Sequence, residues 1–199
     1  MKNGAYRMNF VSFGGKKMEN EKIVLVDIFD RQIGVGEKLE VHQKKLLHRA
    51  FSIFLYQDNK MLIQKRAEGK YHSAGLWANT CCSHPRDGEV LEIAVKRRLL
   101  EEAGIQCTVT ELYTFIYMEN FTDGLSEYEL DHVFVGEYTG DFVPNPEECS
   151  EMKWVDMDEL AKDLQENPLH YAAWFLTAAP EVIKSIRKGK KYNGQNTCF

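Results

Sequence analysis

The chain has 199 residues, 44% of them hydrophobic, enough to bury the core of one globular domain. Its net charge of −5, from 25 Lys and Arg against 30 Asp and Glu, provides no basic field of the kind that holds nucleic acid. No apolar run approaches the ~20 residues of a transmembrane helix, and five cysteines, two of them adjacent, make a poor disulfide framework, so a reducing cytoplasm is expected.

Residues 1–20 are rich in Gly, Asn and Lys, have no hydrophobic period and lack the apolar stretch of a signal peptide. They read as a tail or leader, with a single domain over 21–190 and a short tail over 191–199. Strand-like runs follow at 23–28, 50–56, 61–64, 109–118, 129–138 and 151–155. Asp58-Asn59 between two of them predicts a hairpin turn. Leu91, Val95 and Leu99 recur every fourth residue and predict a helix over 90–103, stopped by Gly104. Two further helices are predicted at 157–165 and 172–187. These elements predict an α+β protein, mixed sheets flanked by helices.

Chemistry concentrates between residues 79 and 105. Asn79-Thr80-Cys81-Cys82-Ser83-His84-Pro85 places a thiol beside a candidate metal ligand, and Lys96-Arg97-Arg98-Leu99-Leu100-Glu101-Glu102 follows on the helix. If the thiol segment is extended, Cys81 and Cys82 point to opposite sides. Taken alone, the helix also reads as a solvated charged face with Arg97–Glu101 and Arg98–Glu102 pairs.

Glu89…Arg97-Arg98-Leu99…Glu101-Glu102…Gly104 resembles the signature helix of the Nudix fold, where carboxylates hold Mg²⁺ against a diphosphate. Two departures stand out. Hydrolases of that fold have Arg-Glu where this chain has Arg97-Arg98, and Gly where it has Ser83. Loss of that carboxylate implies a diphosphate bound without hydrolysis.

Further motifs sharpen the resemblance: Glu37-Lys38…His42, Leu47-His48-Arg49-Ala50-Phe51-Ser52, Gln64-Lys65-Arg66-Ala67…Lys70, Gly75-Leu76-Trp77-Ala78-Asn79 and Glu127-Tyr128-Glu129. With the thiol segment, the chain from about Ile23 to Trp174 resembles the type I isopentenyl-diphosphate isomerases, an α/β/α Nudix-like fold. The resemblance implies interconversion of isopentenyl and dimethylallyl diphosphate through a tertiary carbocation, in isoprenoid biosynthesis. The alternative is a Nudix diphosphohydrolase acting on a nucleoside diphosphate derivative.

The site residues follow from the same resemblance. His42, His48, His84, Glu127 and Glu129 would hold a divalent ion (Mn, Zn or Mg), although the family spaces its first two histidines one residue further apart. Glu127 and Glu129 alternate along a strand and so share a face. Neutral imidazole is the ligating form, so occupancy is expected to fall through the ordinary histidine range. Cys82 and Glu129 would share the proton transfers, with Tyr117 bonded to the catalytic carboxyl and Trp174 facing the carbocation. Lys38, Arg66, Lys70 and Arg98 would bind the diphosphate, and Glu102 a second, substrate-linked Mg²⁺. The expected partner is a small prenyl diphosphate, with no nucleic acid or membrane, and the protein a monomer or weak homodimer. His72, His132 and His170 receive no role from the sequence.

Overall fold

The computed structural model describes residues 21–70, 72–122 and 124–195. The leader over 1–20 and the final residues 196–199, Cys198 among them, lie outside them. In chain order the elements are β1 (Lys22–Val26), β2 (Gln32–Glu37), α1 (Lys38–Gln43), β3 (His48–Gln57), β4 (Lys60–Arg66), β5 (Trp77–Ala78), β6 (Cys81–Ser83), α2 (Leu91–Ala103), β7 (Thr110–Asn120), β8 (Ser126–Glu137), β9 (Cys149–Asp156), α3 (Met157–Glu166), a 3₁₀ turn (Pro168–His170) and α4 (Ala173–Gln195). Among the described residues no helix is long and apolar enough to cross a membrane.

All six predicted strands and all three predicted helices are present. Asp58 takes the left-handed φ of 46° that a two-residue turn needs, and Gln57 pairs directly with Lys60 across it. Helix α4 continues to Gln195, past the expected end at residue 187 and into the segment read as a tail. Four elements had no sequence signal. Strand β2, Gln-Ile-Gly-Val-Gly-Glu, carries two glycines, which strands disfavour. Helix α1 has six residues, too few to display a 3.6-residue period, and β5 and β6 have two and three.

The sheet is mixed. β3 is its hub, antiparallel to β1, β4 and β6 and parallel to β8, which pairs antiparallel with β7. One core packs α2 against the sheet through Val95, Leu99 and Ala103 on Phe51, Ile53 and Leu55. The other packs α3 and α4 on the opposite face through Leu160, Phe175 and Val182 on Phe54 and Ile63. Helices on both faces of one mixed sheet bear out the α/β/α reading.

Gly104 ends α2 in the left-handed region at φ 67°, its N–H returning to Leu100 O at 3.0 Å. A Cβ there would lie 3.2 Å from Val143 Cβ and 3.3 Å from its carbonyl oxygen. Gly104→Ala is therefore expected to lower stability by about 1–2 kcal/mol from backbone strain alone. Urea unfolding measures this, and an unchanged midpoint would contradict it.

Candidate active site

Strand register assembles the site. The parallel β3–β8 ladder sets His48 opposite Glu129, and the antiparallel β7–β8 ladder sets Tyr117 opposite the same Glu129. On the other side of β3, Ser52 pairs with Cys82. One hub strand thus brings a histidine, a carboxylate, a phenol and a thiol from four parts of the chain to one end of the sheet.

His42 joins from α1. Lys45 turns the chain at a left-handed φ of 55°, and Leu46 N–H closes the helix end on Val41 O at 3.1 Å. This tight return accommodates the shorter histidine spacing: the His42 and His48 rings lie 4.8 Å apart, with His84 at 5.6 and 5.0 Å from them. His42 Nδ1 donates to Lys38 O at 2.6 Å and His48 Nδ1 to Leu46 O at 2.8 Å. Carbonyl oxygens accept only, so both rings carry their proton on Nδ1 and present a bare Nε2. A metal-ligating histidine is commonly held this way. Among the described residues His48 Nε2 has no hydrogen-bond partner and is buried, as is His84 Nδ1. Glu129 Oε1 sits 2.8 Å from His84 Nε2 and 3.4 Å from His48 Nε2.

The ligand atoms of His42, His48, His84 and Glu129 lie within 4.8 Å of one another and all four residues are buried, so this group can hold a metal ion. Burial pushes His42 down to about 3 and His84 well below the ordinary imidazole range, so both are neutral as ligation requires. Burial would raise Glu129, but the neighbouring His48 and His84 imidazoles, His84 through its 2.8 Å hydrogen bond, carry its carboxyl well below the usual range. Three imidazoles and a carboxylate suit a borderline divalent ion.

Glu127 stands outside that four-donor group. Its Oε1 meets His72 Nε2 at 3.0 Å and its Oε2 accepts from Tyr117 Oη at 3.0 Å. Tyr117 also donates to Glu129 Oε2 at 2.6 Å, so one hydroxyl bridges the two carboxylates. Burial and the neighbouring charge of Glu129 push Glu127 up to about 8. A third carboxyl, Asp131, continues the same strand face and takes a hydrogen bond from Ser52 Oγ at 2.8 Å. Burial and then Glu129 raise it well above the ordinary range.

The thiol segment is extended as β6, and its two cysteines do point apart. Cys81 is fully buried in the α2 core, while Cys82 faces the cavity. Cys82 Sγ lies 3.8 Å from Arg66 Nη1. Burial nonetheless holds the thiol protonated at neutral pH, the Arg66 charge offsetting only part of it. Asn79, in the same stretch, accepts from Trp174 Nε1 at 2.9 Å and donates to Cys81 O at 2.6 Å. The Trp174 ring, held this way, has the Arg66 guanidinium 5.1 Å from its centroid.

The cavity connects this chemistry to a cationic end. Lys38, Arg66, Lys70 and Arg98 all line it, with Cys82, His84, Glu102, Tyr117, Glu127, Glu129 and Trp174. Arg98 donates to Glu102 at 2.5 Å and to Glu101 at 2.9 Å, so the Arg98–Glu102 and Arg97–Glu101 pairs both form. Glu102 also accepts from Gln64 at 3.3 Å.

Two lining residues lacked any signal in the sequence. Glu148, in the turn before β9, lies 3.2 Å from Arg98 and is bonded to Lys70; burial opposes ionisation, but those two charges lower its carboxyl to about 2. His72, in the loop after Lys70, meets Glu127. Neither loop has a hydrophobic period, and only the folded chain brings them here. Of the other two histidines without a role, His132 lies between Asp30 and Glu111 at 3.1 and 2.8 Å, outside the cavity lining, and His170 ends the 3₁₀ turn.

A NUDIX domain family matches residues 46–175. Isopentenyl-diphosphate Delta-isomerase 2 of Photorhabdus laumondii is 49% identical over 158 residues, covering 78% of this chain and 89% of that protein. The chain belongs to the isopentenyl-diphosphate Delta-isomerase family. An isopentenyl-diphosphate Delta-isomerase of Aliivibrio fischeri is 42% identical over 178 residues, 84% of this chain and 98% of its own length. A family member from Aromatoleum aromaticum, also named isomerase 2, is 44% identical over 82% of this chain and 87% of its own. Among solved structures, a Deinococcus radiodurans protein superposes with a TM-score of 0.67 at 16% identity, over 81% of this chain and 98% of that one. A MutT protein from Methanosarcina mazei gives 0.57 at 19% identity, over 71% and 96%. Those two likenesses concern the fold shared by the family.

Proposed function

We propose that the protein interconverts isopentenyl diphosphate and dimethylallyl diphosphate. The observation that carries this is a thiol and a tyrosine-bonded carboxylate lining one cavity that also has a cationic end. Isomerisation adds a proton to the terminal methylene, leaves positive charge on the tertiary carbon and removes a proton from the allylic carbon. Nothing is consumed, so the site needs one group to give a proton and another to take one. Cys82 and Glu129 fill these two roles and exchange them when the reaction runs in reverse. Tyr117 holds the Glu129 carboxyl in place. Trp174 walls the cavity where the tertiary cation develops, and an aromatic face in a dry site contributes roughly 2 kcal/mol to such a charge.

Lys38, Arg66, Lys70 and Arg98 bind the diphosphate. Before substrate arrives Glu148 occupies two of them, Lys70 and Arg98. Glu102 would hold a substrate-linked Mg²⁺. His42, His48, His84 and Glu129 would hold a borderline divalent ion such as Mn²⁺ or Zn²⁺, with the neighbouring Glu127 as a further donor. Such an ion supplies positive charge that favours proton loss from the carboxyl it touches. The protein acts in isoprenoid biosynthesis in the cytoplasm, on a small prenyl diphosphate. A hydrolase needs the carboxylate that Arg98 replaces. Assaying dimethylallyl product from isopentenyl diphosphate, with phosphate release from nucleoside diphosphate derivatives alongside, separates the two reactions.

Burial changes the expected pH behaviour of the ion. With His42 lowered to about 3 and His84 well below the ordinary range, these two ligands stay unprotonated between pH 7 and 5. In the unfolded chain imidazoles take up protons near pH 6.5. His42, His72 and His84, all lowered in the fold, therefore cost stability as pH falls below that value. The raised carboxyls of Glu127 and Asp131 act in the opposite sense and blunt the slope. Loss of bound Mn²⁺ or Zn²⁺ between pH 7 and 5 is thus expected only where circular dichroism shows unfolding. Ion loss from a fully folded protein in that window would contradict this.

A further inference from the structure

We propose that His72 is a positioning residue of the reaction: its Nε2 fixes the Glu127 carboxyl group against Tyr117 and thereby sets the Tyr117–Glu129 pair. The inference rests on the isomerase reading above. It starts from the two hydrogen-bonding oxygens of Glu127. Oε1 meets His72 Nε2 at 3.0 Å, and Oε2 takes the Tyr117 hydroxyl at 3.0 Å. Because Tyr117 also reaches Glu129 at 2.6 Å, a Glu127 free to rotate would take the hydroxyl with it and change how Glu129 is held.

His72 is itself firmly seated. Phe121 stacks on its ring at 4.8 Å and 19°, and Trp174 meets it nearly perpendicular at 6.0 Å and 80°. Ser73 Oγ lies 3.3 Å from its Nδ1, and Arg66 donates to its backbone carbonyl at 3.3 Å. Ser73 adopts a left-handed φ of 50°, a conformation that a non-glycine residue keeps only when its surroundings impose it. The side chain is buried, 4% exposed, at the wall that Trp174 also forms. Partners that orient the ligands of a metal site through one hydrogen bond typically change affinity or activity 10–100-fold when removed.

The test separates the hydrogen bond from the ring. His72→Phe keeps an aromatic ring between Phe121 and Trp174 but has no nitrogen to hydrogen-bond Glu127. His72→Gln loses the ring and keeps a nitrogen at the reach of Nε2. The expected result is a kcat for His72→Phe reduced about 10–100-fold, with KM within about twofold of wild type. Metal content should stay at the wild-type level, because four other donors hold the ion. His72→Gln should recover most of the lost kcat. Wild-type kcat in His72→Phe would overturn the proposal. So would equal loss in both variants, which would assign the effect to packing, or loss of the ion from His72→Phe, which would assign it to the metal group. Wild-type protein that forms no dimethylallyl product would instead overturn the isomerase reading itself.

Discussion

Cys82→Ala is expected to abolish isomerase turnover while leaving the fold and diphosphate binding intact. Sγ is the only part of the residue that can move a proton, and positioned acid–base groups contribute about 10²–10⁴-fold. The half-buried side chain lies at the cavity rather than in the packed interior of the sheet. Its loss therefore creates no enclosed void and leaves Lys38, Lys70 and Arg98 in place. Cys81→Ala should behave in the opposite way. That residue is fully buried among Ala94, Leu99 and Phe51, so the cost falls on stability while kcat stays near wild type. The two variants share one strand and differ only in which side of it they alter. Measured kcat, KM and melting temperature for both decide the matter. An active Cys82→Ala or an inactive, stable Cys81→Ala would reverse the assignment.

Arg98→Glu should also destroy the isomerase, by a different route. The guanidinium is bonded to Glu101 and Glu102 and lies 3.2 Å from Glu148. Burial works against its charge, but the Glu102 charge, the Glu148 charge and the Glu102 hydrogen bond together outweigh this and hold the arginine strongly protonated. Reversal would gather four carboxylates at the cationic end of the cavity. One unit charge at 4 Å with an effective dielectric of 20 is worth about 4 kcal/mol. Replacing attraction by repulsion of a diphosphate is therefore expected to lower kcat/KM by at least about 10³-fold. The substitution restores the acidic residue of the hydrolase signature, yet no hydrolase should result, because Cys82 and Glu129 would remain the groups placed for chemistry. Dimethylallyl product and phosphate release are measured on one preparation. Wild-type isomerase activity in Arg98→Glu would reduce this arginine to a structural partner of Glu102.

Much of the site was readable wherever local geometry carries the information. Alternation along a strand predicted that Glu127 and Glu129 share a face and that Cys81 and Cys82 do not. Four-residue spacing on α2 predicted the Arg98–Glu102 pair. Long-range register was not readable. His48 meets Glu129 only because β3 and β8 run parallel, and nothing in either segment states that pairing. The same limit hid His72 and Glu148, which sit in loops without a period and acquire partners only when the loops fold over the cavity. It also concealed the division between Glu127 and Glu129, which their shared face alone would treat as equivalent. Burial supplied the other surprise. It keeps Cys82 a thiol and the His42 and His84 imidazoles neutral, where ordinary solution values would leave them half-charged near pH 6.5.

The most direct test is to incubate the purified protein with isopentenyl diphosphate and Mg²⁺ in D₂O and follow the products by NMR. Dimethylallyl diphosphate should accumulate with solvent deuterium in its new methyl group, and Cys82→Ala should form none. An unchanged substrate, or release of inorganic phosphate without any dimethylallyl product, would contradict the account.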